Sequence, residues 1–177
     1  MHMSARGTRL ATGKAATRHY LPDLVYGSND GIITTFAVVS GVVGASLSTR
    51  VILILGFANL VADGISMGAS NYLSRRSYAE AEDRAERPEA AKHGAATTLA
   101  FVVAGTLPLL AYLFPVADDW QYPLAIVLTG VALFAVGASR AAVTKLGWVR
   151  SGLEMLVVGT GAAAVAYAIG AFAAGLT

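Results

Sequence analysis

The chain has 177 residues, 55% of them hydrophobic and 14% charged, with a formal net charge of +2 and a mean hydropathy of +0.60. The charged share lies well below the roughly 25% of a soluble domain. The absence of cysteine excludes disulfides, thiolate metal sites and cysteine nucleophiles, and so small a net charge leaves no footprint for nucleic acid.

Residues 1–20 are polar and basic, with no apolar stretch ending at a small-residue cleavage site. They read as a disordered cytoplasmic leader rather than a signal peptide. Residues 21–177 read as one all-α membrane domain of five transmembrane helices, at about 22–47, 51–73, 95–114, 124–146 and 152–174. Each is near the roughly 20 residues that cross a bilayer core. Pro22 suits a first helical turn. Counted from it, Asp30 stands about 12 Å along the axis, inside the membrane boundary. Local signals leave a second reading open, in which Asp30 caps a helix at the span boundary. Ser48-Thr49-Arg50 form a short turn, so spans one and two are expected to be antiparallel neighbours.

The second span holds the costliest residue. Asp63 stands near the middle of an otherwise apolar, small or uncharged segment. A carboxylate in hydrocarbon costs several kcal/mol unless a proton, a cation or a partner neutralises it. On a helix, Asn59, Asp63, Met67 and Asn71 recur every four residues, with Ser66 and Ser70 beside them, so one stripe carries amides, a carboxylate, a thioether and hydroxyls. Asp63 has three readings at this point: an interhelical hydrogen-bonding group, a proton carrier, or a cation ligand. Oxygen donors suit hard ions such as Mg²⁺ or Mn²⁺, and a thioether adds affinity for softer ones such as Fe²⁺. Gly27 and Gly31, and Gly64 and Gly68, are small-residue pairs that let helices approach closely.

After span two, residues 74–93 are densely charged and read as a solvated helical continuation ending near Pro88, with Glu80–Arg84 and Asp83–Arg87 as ion pairs four residues apart. Pro108 is expected to kink span three. Tyr112, Trp120 and Tyr122 read as an interfacial aromatic belt around an outer loop that carries Asp118 and Asp119. Glu154 opens span five, four residues after Arg150, where a carboxylate complements a helix N-terminus. The three histidines, His2, His19 and His93, lie outside the apolar runs, which argues against a bis-histidine haem in the membrane. Of the 13 lysines and arginines, all but Arg50 fall before span one, between spans two and three, or near the connection of spans four and five. The positive-inside rule then puts the N-terminus in the cytoplasm and the C-terminus outside.

Two segments are specific enough to suggest a family. Asp23-Leu24-Val25-Tyr26-Gly27-Ser28-Asn29-Asp30-Gly31 and Ala58-Asn59-Leu60-Val61-Ala62-Asp63-Gly64-Ile65-Ser66-Met67-Gly68 resemble motifs of the vacuolar iron transporter family, which includes nodulin-21-like proteins. Ala166-Tyr167-Ala168-Ile169-Gly170 is similar to that family as well. The resemblance implies a five-helix homodimer that moves Fe²⁺ or Mn²⁺ out of the cytosol in exchange for protons, along a path at the dimer interface. It implies that Asp30 and Met67 face that path. Plant members can carry an acidic residue where this chain has Asn59, and Asp63 restores a charge one turn away. The glutamate-rich cytosolic domain of plant members is reduced here to a beginning, Arg76-Ser77-Tyr78-Ala79-Glu80-Ala81-Glu82.

The expected function is therefore export of Fe²⁺ or Mn²⁺ by proton antiport, in a bacterial inner membrane, with membrane lipid, the divalent ion and a second copy of the chain as partners. No resident cofactor is implied, and the metal is cargo. Asp30, Met67, Asp63 and Asn59 are the expected metal contacts, with Thr34, Ser66, Asn71 and Glu154 along the path. Two alternatives stay open, a non-transporting scaffold or accessory subunit and a passive cation channel. No phosphate loop, Ser-His-Asp set or zinc-protease pattern gives enzyme chemistry a foothold.

Overall fold

The computed structural model describes residues 5–81, 87–142 and 146–176. Among them the chain is all-helical: α1 (Ala5–Gly44), α2 (Thr49–Ala81), α3 (Arg87–Gly105), α4 (Leu107–Leu113), α5 (Asp118–Ser139) and α6 (Trp148–Ala174), with one 3-10 turn at Arg140–Ala142. Among the described residues, four stretches are long and apolar enough to cross a membrane: Thr49–Ala81, Glu89–Leu113 (through α3 and α4), Asp118–Ser139 and Trp148–Ala174. They make this an integral membrane protein. The first expected span is not among them, because α1 carries Ser28, Asn29, Asp30, Thr34 and Thr35 in its membrane-length half.

Helix α1 is the hub of the bundle. It packs against α2 to α6, most extensively against α3 and then α6. Ile32, Thr35, Phe36, Val39 and Ser40 are among its buried positions, spaced three and four apart. Phe36 and Val39 meet Phe101, Leu109 and Ala125 in one cluster, and Ile32 meets Ala104, Leu133 and Met155 in a second. Without water between helices, contact area and small residues decide such packing. A Cβ on Gly94 would lie 2.6 Å from the Gly68 carbonyl oxygen, and one on Gly68 would lie 2.7 Å from the Gly94 carbonyl oxygen. The α2 and α3 backbones thus touch where both helices are bare. Gly94→Ala is expected to lower stability by about 2 kcal/mol, an overpacking cost. A thermal melt in detergent checks it, and an unchanged midpoint would show that the two helices separate freely.

Several boundaries differ from the sequence expectation. The first helix begins at Ala5, not Pro22, so helix runs through the stretch read as a disordered leader. Pro22 lies inside α1, where its ring removes one backbone hydrogen bond without ending the helix. Asp30 is consequently mid-helix, which rules out the cap. Pro88 starts α3 rather than ending α2, in keeping with proline's fit to a first helical turn. The expected pairs Glu80–Arg84 and Asp83–Arg87 lie outside the described residues. Within the described residues, Glu80 accepts from Arg76 Nε at 2.8 Å. The break at Pro108 is present: α3 stops at Gly105, Thr106 Oγ1 donates to the Val102 carbonyl at 2.7 Å, and α4 resumes.

On the opposite end, Asp118 and Asp119 belong to the first turn of α5 and not to a loop, as the positive end of a helix favours. Trp120 faces outward, but Tyr112 is buried and Tyr122 is packed between Phe36 and Tyr167. Two of the three expected belt aromatics are therefore interior. Tyr122 Oη also donates to Ser40 Oγ at 3.3 Å, a partner that sequence spacing does not reveal.

Candidate functional site

Asp30 on α1 and Asp63 on α2 lie close enough for their charges to act on each other. Both are half-buried, as are Met67 and Asn59. Among the described residues neither carboxylate has a hydrogen-bond or ion-pair partner. The Asn59 side-chain nitrogen is buried with no acceptor. An unpaired buried donor costs about 1–3 kcal/mol, and like charges near each other on neighbouring helices repel. The stripe follows from α2's own geometry. Leu60, Gly64 and Gly68 are buried, and Asn59, Asp63 and Met67 each precede one of them. They therefore flank the buried ridge and look along its edge. Met67 packs against the larger apolar cluster, which holds its thioether beside the stripe.

The other expected residues divide. Thr34 Oγ1 donates back to the Asp30 carbonyl at 2.9 Å, a local bond that leaves the Asp30 carboxylate untouched. Ser66 is exposed. Glu154 is held by Arg150 at 3.3 Å and Arg140 at 3.9 Å, and so behaves as a surface ion pair between α6 and the end of α5. Asn71 lies at the basic end of the bundle, in a polar cluster that the sequence reading did not assemble.

That cluster centres on Asp23, only 3% exposed. Asn71 Nδ2 donates to Asp23 Oδ1 at 2.8 Å, and Arg75 Nη2 reaches the same oxygen at 3.1 Å. Asp23 Oδ2 meets His93 Nδ1 at 2.5 Å. Arg75 Nε donates to Asn71 Oδ1 at 2.9 Å, and Thr97 Oγ1 lies 2.7 Å from Asn71 Nδ2. On the far side of the ring, His93 Nε2 faces His19 Nε2 at 3.1 Å, and His19 Nε2 faces Glu89 Oε2 at 3.3 Å. A signal was present in the sequence. His19 and Asp23 are four apart on α1, and Glu89 and His93 are four apart on α3, so each pair shares a helix face. What the sequence lacks is the pairing of α1 with α3.

A family model described as the VIT family matches residues 21–93 and 80–171, nearly all of the described membrane domain. The chain belongs to the VIT family. Among VIT-family relatives it is similar to Vacuolar iron transporter homolog 1 of Oryza sativa subsp. japonica, 30% identical over 175 residues, covering 87% of this chain and 74% of that protein. Vacuolar iron transporter homolog 5 of the same plant is 27% identical over 168 residues, covering 88% of this chain and 81% of that protein. The Vacuolar iron transporter of Toxoplasma gondii is 45% identical over 73 residues, which cover 40% of this chain and 24% of that protein. The chain thus spans about a quarter of that relative's length and most of the plant homologues' length. The match to the VIT family runs through both the Asp30–Asp63 seam and the Asp23 cluster.

Proposed function

We propose that this protein is a divalent metal transporter that moves Fe²⁺ or Mn²⁺ out of the cytosol in exchange for protons. One observation carries the reading: two acidic side chains without a partner among the described residues, Asp30 and Asp63, stand half-buried on neighbouring helices of a membrane protein, near enough for their charges to interact. Such a pair is stabilised by whatever positive charge enters between them, and proton and metal compete for the same oxygens. Competition of that kind is what an exchanger needs. Met67 and Asn59 would complete the contacts, the thioether biasing the site toward softer ions. Membership of a family whose relatives are named vacuolar iron transporters supports the same cargo.

In this reading α1 is a fifth crossing despite its polar residues, since protein surrounds it on several sides. The basic residues then put the N-terminus in the cytoplasm and the C-terminus outside. A second copy would pack along the half-exposed seam and bring a second Asp30 and Met67 toward the first.

Proteoliposomes loaded with a metal-sensing dye test this. Mn²⁺ or Fe²⁺ flux is expected to follow an imposed pH gradient and to fall when an ionophore collapses it. Flux that tracks voltage alone would identify a passive channel instead. Asp63→Asn separates transport from scaffolding. The near-isostere keeps shape and hydrogen bonding, so a scaffold tolerates it, whereas the exchange site is expected to lose about tenfold in rate, equivalent to about 1.4 kcal/mol.

A further inference from the structure

We propose that His19, Glu89 and His93 form a second, separate binding site for a first-row divalent transition metal at the basic end of the bundle. Their donor atoms all lie within 4.8 Å of one another. His93 is the anchor. Its Nδ1 is engaged by the Asp23 carboxylate, so Nδ1 carries the proton and Nε2 presents a lone pair. A carboxylate behind an imidazole is the arrangement that orients and strengthens a metal-bound histidine. Asp23 is itself fixed by Asn71 and Arg75, so the ring has one orientation.

His93 Nε2 points at His19 Nε2, and His19 Nε2 points at Glu89 Oε2, at 3.1 and 3.3 Å. A proton on His19 Nε2 satisfies one of these two contacts at a time, whereas a shared cation satisfies all three donors at once. A metal about 2.1 Å from each ligand separates neighbouring donors by about 3.0–3.4 Å, depending on geometry. Two of the three spacings, 3.1 and 3.3 Å, fall in that range, and the third pair of donors lies within 4.8 Å. Two imidazoles and one carboxylate select borderline first-row ions over Mg²⁺ or Ca²⁺. With three protein ligands, and with the His19 and Glu89 side chains 48% and 53% exposed, the remaining coordination positions face solvent. An open site of this kind binds and releases.

Its position gives it a use. Asp23, which holds His93, precedes Asp30 by seven residues on α1. The two therefore share a helix face about 10 Å apart along the axis. A metal held by His19, Glu89 and His93 waits two turns from the carboxylate seam. Only that role as an entrance rests on the transport reading; the binding does not.

The test is Co²⁺ titration of the full, tag-free chain in detergent, followed by calorimetry and by the visible absorption of the bound ion. Wild type and Asp30→Ala are expected to bind at this site alike. His19→Ala and Glu89→Gln are each expected to lose at least about tenfold in affinity, the scale of disturbing a metal-site shell. Both side chains are half-exposed, so these variants keep the fold. The proposal is overturned if both bind Co²⁺ as wild type does, or if Asp30→Ala alone removes all binding. Binding that persists in a protein without metal flux would support this site while refuting the transport reading.

Discussion

Asp30→Ala is expected to reduce metal flux about a hundredfold, the effect of removing about 2.8 kcal/mol of interaction at the site. The side chain stands mid-helix in α1, with no partner among the described residues and the charge of Asp63 near enough to act on it. Removing it takes away both a metal oxygen and the repulsion with Asp63 that makes the seam avid for cations. Stability should move the other way. An unpartnered carboxylate in apolar surroundings is costly, so the variant's thermal midpoint is expected to hold or rise. That opposite sign distinguishes a working residue from a structural one, because loss of a structural group lowers flux and stability together. Met67→Ala is expected to cost less, and to cost Fe²⁺ more than Mn²⁺, since a thioether discriminates by softness. Both variants are read in proteoliposomes at matched protein content. Wild-type flux in Asp30→Ala would remove the seam from the pathway.

How much of this was legible beforehand depended on the kind of signal. Helices α2, α5 and α6 announced themselves by uninterrupted apolar length, and the break in the third span by Pro108. The stripe Asn59–Asp63–Met67 was legible because it is local: one helix, one spacing. The α1 boundary was not, because proline predicts where a helix is free to start, and α1 continues through Pro22 at the loss of one hydrogen bond. Tyr122 was misplaced for a different reason. An aromatic near a span end suits both an interfacial belt and a core, and only the stacking with Phe36 and Tyr167 decides. The largest omission, His93 against Asp23, joins residues 70 apart in sequence. Each half was visible as a four-residue spacing, but the contact between α1 and α3 rests on bare glycines and alanines that carry no label of their partner.

Asp23→Ala is expected to destabilise the folded protein by about 3–4 kcal/mol, the range for removing one member of a buried polar pair. Asp23 accepts from three directions at once, from Asn71, Arg75 and His93, and it joins α1, α2 and α3 at one end of the bundle. Arg75 is 41% exposed and recovers water when its partner is lost, so its share of the penalty is small. The His93 ring is nearly enclosed and recovers none; its Nδ1 donor is left facing a void where the carboxylate stood. Asp23→Asn fills the void and keeps one acceptor for Asn71 or His93, and about half of the loss should return. Thermal unfolding in detergent reads both variants. The same pair bears on metal binding: with Asp23 gone, His93 has no group to fix its tautomer, and Co²⁺ affinity should fall about 10–100-fold even though no ligand atom has been removed. If Asp23→Ala melts like wild type, the carboxylate is not the keystone of the three-helix junction. If Asp23→Asn restores stability but leaves Co²⁺ affinity low, orientation of His93 is the carboxylate's separate task, because an amide fills the space without supplying the negative charge that strengthens an imidazole ligand.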